Sequence, residues 1–99
     1  MCFKNKQGQR LIMGRRFINA SGHIFRNIKV KTIEHSFLVF NVIYNKGEME
    51  IIIQDENGNQ ILCLNNPKTD KYDVVLNVNH EYKLLINLHK ASGGYSFYL

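Results

Sequence analysis

Eight cations crowd the first third of this chain. Lys4, Lys6, Arg10, Arg15, Arg16, Arg26, Lys29 and Lys31 are interrupted by no acid, because the first carboxylate is Glu34. A run of that kind could meet several charges of a polyanion at once, either nucleic acid or an anionic membrane surface. The other bases, Lys46, Lys68, Lys71, Lys83 and Lys90, are outnumbered by the eight acids, so the net charge of +5 is unevenly spread. Setting aside the bases of residues 1–16 leaves eight bases against eight acids, which makes the rest neutral. The basic stretch therefore reads as a leader attached to an ordinary domain.

The residues that do catalysis elsewhere are scattered here. His23, His35, His80 and His89 stand far apart with no cysteine or carboxylate at ligand spacing, so no metal site is expected. Asp55-Glu56-Asn57-Gly58-Asn59 resembles the opening of a calcium loop, but the twelfth position, which needs glutamate, is Asn66. Ser21, Ser36, Ser92, Ser96, Thr32 and Thr69 lie in no strained elbow and beside no His–Asp pair. Ser92-Gly93-Gly94 leads into a strand rather than a helix, so it is no phosphate loop. No enzyme, cofactor or catalytic residue is expected. Asn19-Ala20-Ser21 fits a glycosylation acceptor, which matters only in a secreted eukaryotic chain.

Cys2 and Cys63 offer no disulfide framework. Cys63 reads as a small core residue, with a bridge to Cys2 as the alternative. The opening residues lack the long apolar core of a signal peptide, since Leu11-Ile12-Met13 is too short. No apolar run reaches the roughly 18 residues of a membrane helix. By sequence the expectation is either a cytoplasmic protein or a truncated or remodelled form of an exported one.

The elements that position these residues repeat every second residue. With 99 residues, 44% of them hydrophobic, the chain makes one domain with one core. From Phe17 onward, short runs rich in Ile, Val, Phe and Tyr alternate with Gly, Asn, Asp and Ser clusters. The strands expected are 16–20, 24–32, 37–44, 48–54, 60–64, 72–78, 82–89 and 95–99. Ile28 and Val30 face one way while Lys29 and Lys31 face the other. Residues 37–44 are apolar on both faces, as suits a central strand or a contact surface. Ile52 and Leu85 interrupt otherwise regular alternations. Asn57-Gly58 should turn a hairpin between 48–54 and 60–64, and Asn45-Lys46-Gly47 is expected to act likewise. The aromatics Phe25, Tyr44, Tyr72, Tyr82, Tyr95 and Tyr98 share faces with aliphatic residues and read mainly as core, although stacking on bases is the other use of such a pattern. The fold class expected is all-β: an antiparallel sandwich of seven to eight strands, immunoglobulin-like or jelly-roll-like, over residues 17–99, with residues 1–16 as a flexible leader or an edge strand.

Four stretches carry a resemblance: Phe37-Leu38-Val39-Phe40-Asn41-Val42; Lys46-Gly47-Glu48-Met49-Glu50-Ile51-Ile52-Ile53-Gln54-Asp55-Glu56-Asn57-Gly58-Asn59-Gln60-Ile61; His80-Glu81-Tyr82-Lys83-Leu84-Leu85-Ile86; and Ala91-Ser92-Gly93-Gly94-Tyr95-Ser96-Phe97. Their order resembles small β-sandwich domains of bacterial cell-envelope proteins, often lipoproteins of Gram-positive bacteria. His80 stands where that pattern has glycine. The resemblance implies a sandwich at the envelope and transfers no activity. The expected role is a non-catalytic binding or assembly module with a protein partner, and homodimerisation through an edge strand is expected too. The alternative is a cytoplasmic protein whose basic third binds nucleic acid or another polyanion.

Overall fold

The computed structural model describes residues 11–31 and 36–99. Lys4, Lys6, Arg10, Cys2 and His35 lie outside the described residues. Five strands form: β1 (Leu11–Val30), β2 (Phe37–Asp55), β3 (Gln60–Asn65), β4 (Asp70–Val75) and β5 (His80–Tyr98). Every pairing is antiparallel, in the order β1-β5-β2-β3, with β4 also on β2. The pairing describes a single bent sheet.

Five strands replace the expected seven or eight because three supposed turns are bends. Segment 16–20 and residues 24–30 of the expected 24–32 are both parts of β1, 37–44 and 48–54 are parts of β2, and 82–89 and residues 95–98 are parts of β5. In β1 the register slips around Ala20, and in β2 around Lys46. Left-handed backbone marks the same level of each long strand: Asn19 and Gly22 in β1, Gly47 in β2, Lys90 and Gly93 in β5. Such irregularities bend a strand without ending it. Asn45-Lys46-Gly47 is accordingly no hairpin.

Backbone groups near the bend find hydroxyl partners. Asn19 N–H donates to Ser92 Oγ at 3.0 Å and Lys90 N–H to Ser21 Oγ at 2.9 Å. Thr69 Oγ1 accepts from Tyr44 N–H at 2.8 Å and donates to Tyr44 O at 3.2 Å. The polar clusters that resemble turns in the sequence are there to satisfy a bent ladder.

Each side of the bend is four strands wide. The first half comprises 11–17 of β1, 93–98 of β5, 37–44 of β2, and β4. The second comprises 22–30 of β1, 80–88 of β5, 48–55 of β2, and β3. Both feed one cluster of buried residues, with Leu38, Phe40, Val42 and Phe97 from the first half and Met49, Ile51, Ile53, Leu84 and Ile86 from the second. Phe40 stacks on Phe97 at 4.6 Å between ring centroids. Central β2 is indeed apolar on both faces over 37–44, as the sequence indicates.

Cys63 is not a core residue. It is a free, exposed thiol on β3, in the row facing away from the core.

The Asn57-Gly58 hairpin forms between β2 and β3 as expected. Asp55 Oδ1 accepts from the N–H groups of Asn57 and Asn59, both at 2.9 Å. Those bonds, led by that from the Asn59 backbone, hold the exposed Asp55 carboxyl below its ordinary pKa of 3.8. A lowered folded pKa means the contribution is complete above the unfolded value and is lost as pH falls through the folded one. The Asp55→Asn variant should therefore have a lower urea midpoint than the parent at neutral pH, with the gap closing below about pH 3.8. Urea titrations across that range check it.

Candidate interaction surface

The outer face of the first half begins with alternation: since Phe40 and Val42 point to the core, Phe37, Val39, Asn41 and Ile43 point away. Register sets their neighbours. Phe37 lies opposite Val75, and Val39 opposite Tyr98, which also pairs with Leu11. Asn41 shares a row with Ser96 and Gly14, and Ile43 one with Gly94 and Arg16. Phe37 at 51%, Val75 at 67% and Ile18 at 87% are exposed, as is Leu11.

Small side chains in the middle rows leave a hollow. A cleft of about 450 Å³ runs over Gly14, Gly94 and Ser96, bounded by Leu11, Arg16, Ile43 and Tyr98. A neighbouring cleft of about 490 Å³ shares Arg16 and Ile43 and adds Ile18. The two make one groove, apolar at its sides, with a guanidinium beside it. Gly14 tolerates a side chain, because a Cβ there would lie 3.6 Å from its nearest neighbours. This surface suits a protuberant apolar group of a macromolecule.

The eight bases singled out by the sequence fare differently. Lys4, Lys6 and Arg10 are outside the described residues, whereas the rest follow β1. Arg15 stands opposite Tyr95, whose hydroxyl pKa burial pushes up while the Arg15 cation pulls it down. Arg16 borders the groove. Arg26 occupies a row shared with buried Leu84 yet is exposed, because β1 is an edge strand among the described residues. Lys29 approaches Glu81 at 3.8 Å, an exposed pair that contributes little. Lys31 follows the strand and is exposed. One edge therefore gathers five bases on both sides of the bend.

The second half presents a different outer face. His23 Nδ1 donates to Asn87 Oδ1 at 2.6 Å, and Asn87 Nδ2 donates to Glu50 Oε1 at 2.7 Å, so one polar row crosses three strands. His23 and Glu50, together with Glu48 and His89, line a cleft of about 530 Å³. Among the described residues no group of three or more His, Cys, Asp or Glu is placed to hold a metal. In the next row, Phe25 faces Leu85, Leu85 faces Ile52, and Ile52 faces Cys63. The two sequence interruptions, Ile52 and Leu85, thus meet in one apolar stripe.

Sequence reasoning missed the groove. Gly14, Gly94 and Ser96 are far apart in the chain, and only register makes them a floor. No signal in the sequence marks them.

By its pairing the chain belongs with all-β domains built on antiparallel sheets. No family model and no curated protein sequence matches it. Among solved structures, it is similar to PliG of Aeromonas hydrophila, a periplasmic inhibitor of g-type lysozyme, with TM-score 0.51 and 9% identity over 91% of this chain and 83% of that one. The Yersinia pseudotuberculosis-derived mitogen gives TM-score 0.42 and 14% identity over 82% of this chain and 85% of that one. The enzymatically active domain of bacteriophage CBA120 tailspike protein 4 gives TM-score 0.42 and 15% identity over 86% of this chain and 14% of that one. The likeness to PliG is one of fold.

Proposed function

We propose that the chain is a non-catalytic binding module: a two-layer β-sandwich over residues 17–99, extended by residues 11–16, with the bases Arg15 and Arg16, as the first part of strand β1, that engages a protein partner at the bacterial envelope. The observation that carries this reading is the groove over Gly14, Gly94 and Ser96, a hollow with apolar flanks on the face turned away from the core. The fold of PliG, a protein that acts on another protein in the periplasm, makes a g-type lysozyme the first partner to test.

Purified chain should slow lysis of a peptidoglycan suspension by a g-type lysozyme, saturating at stoichiometric ratio. Gly14→Phe should fill the groove and weaken this by about tenfold or more with an unchanged melt. Undiminished lysis at excess chain would reject that partner, and turnover by the chain itself would reject a non-catalytic role.

Self-association is a further part of the reading. Two β1 edges would set bases against bases, which leaves the β3 or β4 edge for a dimer. A second reading, binding of a polyanion such as nucleic acid, is favoured by the four bases along β1, Arg15, Arg16, Arg26 and Lys29, with Lys31 just beyond it. Retention on DNA that is insensitive to salt would count against it.

A further inference from the structure

We propose that residues 22–30 of β1 receive an extended acidic segment of another protein as an added strand. The inference rests on the reading of the chain as a protein-binding module and specifies one partner chemistry. Three observations carry it. β1 is paired on one side by β5, and among the described residues no strand pairs with its other side. Register along residues 22–30 is unbroken, so this stretch is a regular template whose open side is paired by no described strand. Its charge is all of one sign, from Arg26, Lys29 and the adjoining Lys31.

The side chains specify the guest further. Ile24, Arg26, Ile28 and Val30 stand in rows with Ile86, Leu84, Tyr82 and His80, and Ile28 and Val30 are buried. An added strand would extend those rows with apolar residues opposite Ile24 and Ile28 and a carboxylate opposite Arg26. On the other face it meets Phe25, 54% exposed, and Lys29. The guest is therefore a segment with apolar residues opposite Ile24, Phe25 and Ile28 and carboxylates opposite Arg26 and Lys29. A second copy of β1 brings like charges into register and does not fit.

A fluorescent nonapeptide with Val placed to lie opposite Ile24, Phe25 and Ile28, Glu opposite Arg26 and Lys29, and Thr elsewhere, in antiparallel register, tests this by anisotropy, beside a Val-Lys peptide with Lys in place of Glu and the same Val-Glu peptide N-methylated on the alternate amides that would face β1. The Val-Glu peptide should bind saturably, and more weakly as salt rises. The double variant Arg26→Glu, Lys29→Glu should weaken it by about tenfold or more. The N-methylated peptide should fail while carrying the same charge, since it cannot complete a ladder. Amide exchange should slow in residues 22–30 on binding. Equal binding of the N-methylated peptide would reduce the effect to charge alone and overturn the proposal, as would absence of binding by the Val-Glu peptide. A dimer that the peptide cannot displace would assign the edge to a second copy instead. A negative peptide result with lysozyme inhibition intact overturns the edge alone. Peptide binding without any inhibition removes the lysozyme and leaves the edge.

Discussion

Alanine at Gly47 or Gly93 should lower stability by about 3 kcal/mol or more, enough to move the urea midpoint far or to leave the protein unfolded. Two effects add. Both residues have positive φ, 90° at Gly47 and 152° at Gly93, which a side chain resists. Both also sit where strands nearly touch: a Cβ on Gly47 would overlap the Lys90 carbonyl oxygen and lie 2.5 Å from Ala91 Cα, and one on Gly93 would overlap the Ile43 carbonyl oxygen. The obstacles are backbone, so nothing flexible can yield. Gly58 has φ of 87° but nothing within 4 Å of an added Cβ. Gly58→Ala should therefore cost only about 1 kcal/mol, and its contrast with Gly47, whose φ is nearly the same, measures the close approach separately from the φ strain.

Phe40→Ala should cost about 3–5 kcal/mol, comparable with the lower end of the roughly 5–15 kcal/mol by which domains of this size are stable. The ring is wholly buried, stacked on Phe97 at 4.6 Å and on Tyr72 at 5.4 Å, with no solvent to fill the void. Phe37, three residues away on the same strand, faces outward and is 51% exposed. Phe37→Ala should cost about 1 kcal/mol or less. Urea titrations of both variants check the assignment of faces. If the loss at Phe40 did not exceed that at Phe37, the core as described would be wrong. A Phe40/Phe97 double-mutant cycle should show coupling of about 0.5–1.5 kcal/mol.

These two predictions mark where the sequence is readable. Alternation along 37–44 and 48–54 locates the core strands, and Asn57-Gly58 locates a hairpin, because both signals are local. Asn45-Lys46-Gly47 carries the same turn chemistry yet bends a strand, since what distinguishes a bend from a turn is whether β5 lies alongside both arms. That depends on residues some forty positions away in the chain. Cys63 departs from the core expected for it for a similar reason: its neighbours are apolar, but register with Ile52 sets it on the outer row. The basic stretch was visible at once in composition. That its described part forms one edge strand, and that Gly14 meets Ser96 and Gly94 to hollow a groove, required the pairing of the first strand with the last.

That pairing has a consequence for how the protein is made. β1 is synthesised first and its only partner among the described strands, β5, is synthesised last, with Leu11 ending beside Tyr98. While β2, β3 and β4 can begin to pair as they emerge, β1 must wait, its backbone unmatched by any described strand, until β5 has emerged. Its freedom from acids then has a use before any partner arrives: like charges along the waiting strand keep nascent chains from joining through it.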